Sequence, residues 1–305
     1  MVIDDISRAV EAVKIKLPAL EYRLDEPMKD HTSIGIGGIV RSMFFPGNTE
    51  ELVALKKLLL EYEAETLIIG SGTNMLVNDR KLNMIVIRTN KLRTITRGGE
   101  NEIAAEAGAA LSKLAEFALN NGLSGLEFAY GIPGSLGGAA SMNAGAYGAE
   151  MKDVIHSTTA YSMEKGLYTV TDAEHGFTYR GSRFSDNSDI IISSVIRLRG
   201  GDRKNIRSKM DELCARRRES QPLDFPSAGS VFKRPKDGYA APLIEKAGLK
   251  GFMVGGAQVS EKHSGFIVNR GGATFDDVVK VIEHVHETVF RQFGVDLEPE
   301  IKIIR

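Results

Sequence analysis

The segment "GIPGSLGGAASMNAGAYG", Gly131 to Gly148, most constrains what this chain can fold into. It holds six glycines, no charge and no run that would serve as a strand. Glycine inside regular structure costs roughly 0.5–1 kcal/mol relative to alanine, so such a cluster answers a local need. Either the chain makes several tight turns there, or something large lies against bare backbone.

With 305 residues the chain exceeds one typical domain, and two or three are expected. A formal charge of −1 gives no global attraction to nucleic acid or to an acidic membrane surface, so neither is an expected partner. The single cysteine, Cys214, excludes an internal disulfide and a cysteine-based zinc cluster, which fits a reducing compartment. The opening "MVIDDISRAVEAVKIKL" mixes acids and bases through an amphipathic pattern, without the apolar centre of a signal peptide. No stretch approaches the roughly eighteen apolar residues of a membrane span. These features together lead to the expectation of a cytoplasmic protein; separately, a monomer is expected.

Residues 3–16 read as an amphipathic helix, followed by an extended arm reaching "DHTSIGIGG". The run "TEELVALKKLLLEYEAE" repeats apolar residues at helical spacing, with Asn48 or Thr49 as cap. It feeds a strand at "TLIIG", a turn at "GSGTNMLV" and a strand at "NMIVIR". Beyond these, "NEIAAEAG" alternates as a strand, and the helix "LSKLAEFALNNG" closes on Asn-Gly. Strands are expected near 154–163, at 167–171 and at "DIIISSVIRLRGG". A polar helix over "DRKNIRSKMDELCARRRESQP" stops at Pro222. The last hundred residues read as α+β: a helix at "APLIEKAG", a strand at "GFIVN", a helix at "TFDDVVKVIEHVHETVFRQFG" and a strand at "LEPEIKII". Thr274 and Asp277 have capping-box spacing. The expected division is 1–95, 96–201 and 202–305.

No G-x-x-x-x-G-K-[ST] occurs, and "GIGGIV" and "GSGTNM" both lack the third glycine of a dinucleotide fingerprint. No close His/Asp cluster proposes a metal; His284 and His286, two apart on a helix, face different ways. Two glycine-rich segments remain, "GSGTNML" and Gly131–Gly148. Successive N–H groups in turn conformation form a concave nest for phosphate oxygens, and Ser71, Thr73 and Asn74 add donors without fixed charge. Either segment alone reads as readily as a tight turn. Together, with the "MNAGAYG" tail, they favour wrapping the two phosphates of an extended dinucleotide.

In order, "TSIGIGG", "GSGTNMLV", "GIPGSLGGAASMNAGAYG", "YRGSRF", "SAGSVFK" and "LEPEIKII" resemble the UDP-N-acetylenolpyruvoylglucosamine reductases, flavoenzymes of bacterial peptidoglycan synthesis. The resemblance runs from about Asp30 to the C-terminus. It implies an α+β chain with a two-subdomain FAD-binding fold of the vanillyl-alcohol-oxidase (PCMH) type and a C-terminal α+β substrate domain. The spacing is similar to that of the shorter class, which lacks an extra tyrosine-bearing loop. FAD is implied as a non-covalent cofactor, so His31 is not expected to carry it, and NADPH is implied as co-substrate. The implied cofactor residues are Gly70, Ser71, Gly72, Thr73, Asn74 and Met75, with Pro133, Gly134, Ser135, Gly137, Gly138, Asn143 and Gly145 from the long motif.

The family reaction adds hydride to C3 of an enolpyruvyl group and a proton to C2. By the resemblance Arg180 meets the substrate carboxylate, for which a guanidinium fork is suited. Ser230 is implied as the proton donor, with Ser227 its competitor; serine is a poor acid and needs a neighbouring cation or a hydrogen-bonded chain. Glu300 is implied as the family glutamate, with Glu298 its decoy, and helps a developing enolate only if protonated or acting through a partner. Substrate contacts are implied at Tyr179, Arg217, Arg218, Lys233 and Arg234. Arg234 stands where many relatives carry Asn, and Ser220 where a basic residue is expected. Other readings of the same residues are another FAD oxidoreductase on this scaffold, or a non-catalytic nucleotide-sugar binding protein.

Overall fold

A computed structural model describes residues 5–185, 187–236 and 238–305. The chain divides into two compact units, Met1–Glu26 with Val40–Ser71 and Asn83–Ala215, and Pro27–Ile39 with Gly72–Leu82 and Arg216–Arg305.

In the first unit the amphipathic runs become helices α1 (Asp5–Lys16) and α2 (Thr49–Glu61). Residues 3 and 4 of the expected first helix lie outside the described residues. Asn48 caps α2, its side chain accepting the Glu51 N–H at 2.8 Å. Leu52, Leu55 and Leu59, at helical spacing, pack with Val13 of α1 and with Phe44, Ile85 and Ile87. The last three belong to a four-stranded sheet ordered Glu21–Pro27, Ile39–Phe45, Leu82–Arg88, Thr66–Ile69, its final pair parallel.

A second, antiparallel sheet runs Gly166–Thr171, Ile155–Ser162, Ile190–Arg197, Glu102–Glu106, Ile95–Arg97. Helix α3 (Leu111–Asn120), the short α4 (Leu136–Ser141) and the start of α5 (Arg203–Ser220) share its apolar core. The glycine segment is therefore not all turn. It contains α4, with Leu136, Ala139 and Ala140 buried at helical spacing, and a hairpin pairing Ala146 with Ala149 and Gly145 with Glu150. Tyr147 and Gly148 form that hairpin's tip, both at positive φ (55° and 87°), as a tight two-residue turn of right twist requires.

The second unit is built on the antiparallel sheet Ser227–Ser230, Phe266–Asn269, Ala257–Val259, Met253–Val254. Helices α6 (Ala240–Lys246) and α7 (Phe275–Phe293) cover it. Thr274 and Asp277 form the expected capping box, and Gly294 closes α7 in the left-handed region at φ 68°. The terminal strand is shorter than "LEPEIKII" reads: only Lys302–Ile304 is strand, because Pro299 interrupts pairing and makes an isolated bridge with Phe232. Its parallel partner is Met75–Val77, which the sequence places inside a turn. Among the described residues no helix is long and apolar enough to cross a membrane.

Candidate functional site

Gly70 and Ser135, from the two glycine-rich segments, meet inside the first unit. A Cβ on Gly70 would collide with Ser135 Oγ. That hydroxyl is buried, in a residue only 2% exposed, and has no hydrogen-bond partner among the described residues. An orphaned buried hydroxyl beside a bare glycine fits an acceptor that the chain itself does not supply. Other parts of the motif are accounted for internally. The Leu136 and Gly137 N–H groups donate to the Ala109 and Ala107 carbonyls, at 2.9 and 2.7 Å, and Gly134 O accepts from Leu111 N–H at 3.0 Å. A Cβ on Gly137 would meet Ala107 Cβ at 2.8 Å, so this glycine serves close packing. Pro133 and Gly138 are exposed.

Asn143 is fully buried, and its side-chain amide is turned to protein groups. Nδ2 donates to Glu150 Oε2 and to the Thr178 carbonyl, both at 2.9 Å, and Oδ1 accepts the Lys152 N–H at 2.9 Å. A Cβ on Gly145 would meet Glu150 Cγ at 2.7 Å, so this glycine makes room for the glutamate paired with it. Thr178 opens the tight turn that carries Tyr179 and Arg180, closed by Thr178 N–H to Gly181 O at 2.9 Å. Arg180 sits there at φ 57°, half-buried, its guanidinium 5.2 Å over the exposed Tyr179 ring. The following residues are stitched to α4, with Ser182 Oγ and Ser185 Oγ both donating to Ser141 O at 2.7 Å. Burial alone would raise the Glu150 pKa, but hydrogen bonds from Lys152 and Asn143 and the charges of Lys152 and Arg180 hold it below the ordinary value. Glu150 is the residue of this cluster that the sequence did not single out. Its signal was a Gly opposite a Glu across the two-residue Tyr-Gly turn.

The chain crosses from one unit to the other between Ser71, exposed, and Gly72. Gly72 lies at φ 65°, where a Cβ would overlap the His31 carbonyl, and Thr73 is half-buried. Asn74 O accepts from Lys302 N–H at 3.0 Å and its Nδ2 donates to Glu300 O at 3.2 Å, while Met75 is buried in the adjoining strand. Glu300 in turn donates its N–H to Val231 O at 2.7 Å. The second unit thus brings Ser230 and Glu300 onto directly neighbouring backbones. Both are half-buried, and among the described residues Ser230 Oγ donates a long 3.5 Å bond to Phe232 O.

Of the two competitors, Glu298 is engaged through its side chain and Ser227 through its backbone. Glu298 is exposed and pairs with Lys233 Nζ at 3.1 Å, and Ser227 O accepts from Ser33 Oγ at 2.7 Å. The Arg234 guanidinium lies 4.2 Å over the Tyr239 ring. Arg217 is half-buried and Arg218 exposed in the last turn of α5, where Ser220 Oγ bonds back to Arg216 O at 2.9 Å. His284 stacks on Phe252, whereas His286 pairs with Asp296 at 2.7 Å, so these rings go to different partners.

The family model described as "FAD binding domain" matches residues 40–171, and that for "UDP-N-acetylenolpyruvoylglucosamine reductase, C-terminal domain" matches residues 221–304. A UDP-N-acetylenolpyruvoylglucosamine reductase of Caldanaerobacter subterraneus subsp. tengcongensis is 47% identical, over 97% of each chain. One of Clostridium perfringens is 45% identical, over 93% of each. The crystal structure of UDP-N-acetylenolpyruvylglucosamine reductase from Thermus caldophilus superposes with a TM-score of 0.80 at 32% identity, covering 94% of this chain and 99% of that one. An alkyldihydroxyacetonephosphate synthase, at 16% identity and a TM-score of 0.50 over 63% of this chain and 43% of its own, shares the fold alone. Identity near one half, sustained over almost the whole length and across both matched domains, means that the chain belongs to the UDP-N-acetylenolpyruvoylglucosamine reductase family.

Proposed function

We propose that this chain reduces the enolpyruvyl ether of UDP-N-acetylglucosamine to UDP-N-acetylmuramate with NADPH, in the cytoplasm, as a step of peptidoglycan synthesis. The observation that carries this reading is the neighbouring of Ser230 and Glu300, joined through the Glu300 N–H to Val231 O bond. A proton donor and a carboxyl group held side by side suit a reduction that must end in protonation at carbon; an oxidase has no such need. The working division is 1–95 and 96–201 for the cofactor and 202–305 for the substrate. FAD supplies a carrier that takes two electrons from NADPH and passes them on as hydride.

The remaining work falls to the chain's own residues. Arg180 grips the substrate carboxylate with a fixed charge and a fork of donors, and so stabilises the charge that grows on C2 and that carboxylate as C3 receives hydride. Ser230 Oγ delivers the proton to C2, completing addition across the double bond. Its long bond to Phe232 O leaves the hydroxyl free to swing toward an acceptor. Glu300 acts beside it, its backbone held by Val231 and Asn74. Tyr179, Arg217, Arg218, Lys233 and Arg234 are assigned to the nucleotide-sugar; Arg234, in place of Asn, adds charge suited to a diphosphate.

The purified protein should be yellow, bleach under NADPH without oxygen, and regain colour when the enolpyruvyl substrate is added. Reoxidation kinetics indifferent to that substrate would remove the reading. A separate test addresses the cofactor cradle of Gly70, Ser71, Gly72, Thr73, Asn74, Met75, Pro133, Gly134, Ser135, Gly137, Gly138, Asn143 and Gly145. Ser135→Ala is expected to weaken FAD binding roughly ten- to a hundred-fold, since a hydrogen bond to a charged group contributes about 1.5–3 kcal/mol. The same change should leave the melting temperature of FAD-free protein level or higher, because it removes a buried hydroxyl with no partner. Fluorescence titration with FAD and a melt of the apoprotein measure the two; a falling apoprotein melt with unchanged affinity would assign Ser135 to the fold.

A further inference from the structure

The tail of the glycine motif, "NAGAYGAE", is used in a way that a phosphate cradle does not explain. Arg180 adopts φ 57°, in the left-handed region that costs most non-glycine residues roughly 1–2 kcal/mol, and Asn143, a residue type that enters that region more readily, adopts φ 47°. Backbone strain of this kind persists only where the surroundings over-determine it, and it gathers where geometry matters for function. Here the two left-handed residues belong to one construction. Asn143 Nδ2 reaches the Thr178 carbonyl, the first residue of the Arg180 turn, and the Glu150 carboxylate at the same 2.9 Å. The hairpin tip at Tyr147 and Gly148 reverses the chain, and Gly145 leaves the space in which Glu150 folds back onto Asn143. Tyr147 Oη anchors the tip by donating to Leu213 O at 3.1 Å.

We propose that Asn143 and Glu150 are positioning residues for Arg180: Asn143 clamps the turn that carries it, and Glu150, bonded to the same amide nitrogen, brings a carboxylate beside that turn. The proposal rests on the reading of Arg180 as the grip on the substrate carboxylate, and goes beyond it in naming what aims that grip. An arginine on a two-residue turn otherwise has many rotamers, and each lost before binding improves the fit to a planar carboxylate. Glu150 is well placed to act as a charge, since Lys152, Asn143 and Arg180 all favour its ionised form. A purely structural role would be filled as well by a neutral side chain of the same shape.

Glu150→Gln removes the charge and keeps the shape, while Asn143→Ala removes the clamp. In the FAD-loaded protein both are expected to slow flavin reoxidation by the enolpyruvyl substrate on the order of ten- to a hundred-fold, the scale of a small misplacement of a catalytic group. The KM for that substrate should rise, while in Glu150→Gln the rate of bleaching by NADPH stays within about two-fold. Independently of any substrate, the Arg180 Nε resonance in ¹⁵N-arginine spectra of the same protein, assigned by its loss in Arg180→Lys, should shift and broaden in Glu150→Gln. A wild-type Arg180 resonance in Glu150→Gln, or equal slowing of both stages in that variant, overturns the proposal; if Asn143→Ala fails to fold, Glu150→Gln alone decides. If the enolpyruvyl substrate fails to reoxidise wild-type flavin, the reductase reading falls, and the Arg180 resonance still decides whether Glu150 positions it.

Discussion

Ser230→Ala is expected to leave NADPH-driven bleaching of the flavin within about two-fold of wild type and to slow reoxidation by the enolpyruvyl substrate roughly a thousand-fold. A positioned general acid contributes typically 10²–10⁴-fold, and loss of an interaction made only in the transition state lowers kcat and kcat/KM together. The fold should hardly respond. Ser230 pairs with Phe266 through its backbone, and the next residue is held by Val231 N–H to Gly265 O at 2.8 Å. Among the described residues the side chain itself gives up its long bond to the Phe232 carbonyl. Ser227→Ala is the matched control, because Ser227 accepts from Ser33 Oγ through its backbone carbonyl, which alanine also offers. Single-turnover kinetics under anaerobic conditions separate the stages. Equal slowing of both would take the proton-donor role from Ser230, and a slow second stage in Ser227→Ala would give it to the neighbour.

Long periodic elements were legible in the sequence because burial and capping agree in them. Helix α7 repeats Val278, Val281, Ile282, Val285 and Val289 on one face between a capping box and a C-terminal glycine. Helix α2 announces itself in the same way through Asn48. What was not legible depends on partners far along the chain. Ile39–Phe45 buries Val40, Met43, Phe44 and Phe45, a run without the alternation of a half-exposed strand, and it stayed hidden beside two glycines. Met75–Val77 is strand only because Lys302–Ile304 lies along it. Helix α4 is six residues with two glycines, so its propensity argues against it and tertiary packing of Leu136 and Ala140 decides.

The candidate site divides along a similar line. Arg180, Ser230 and Glu300 came from ordered motifs, each too short to be specific alone. Their spacing in sequence carried no sign that Glu300 would pair with the residue after Ser230, or that Asn74 would bond the Glu300 carbonyl. Glu150 was invisible because its importance lies in what it touches, not in its type. In the sequence the glycines read as openings for a ligand. That need is shared with the chain itself, as Gly137 against Ala107 and Gly145 against Glu150 illustrate.

Gly72 gives this point its largest measurable consequence. Gly72→Ala is expected to destabilise the second unit by about 3 kcal/mol or more in protein stripped of flavin. The left-handed φ of 65° costs an alanine roughly 1–2 kcal/mol, and the added methyl overlaps the His31 carbonyl, a backbone atom that cannot rotate away. Relief requires one strand of backbone to shift, which threatens the Ser33 N–H to Gly72 O bond at 3.0 Å; overpacking of this kind adds typically 1–3 kcal/mol. For a unit of this size the melting transition should fall on the order of 10 °C. Gly70→Ala makes the informative contrast. Its methyl meets Ser135 Oγ, a side-chain atom on a rotatable bond, so the apoprotein should lose much less stability while FAD affinity drops with the displaced hydroxyl. Calorimetry of both apoproteins beside FAD titrations separates the two roles. A Gly72→Ala apoprotein melting within about 2 °C of wild type would mean that the glycine answers to the ligand alone, and that the His31 carbonyl yields more easily than packed backbone should.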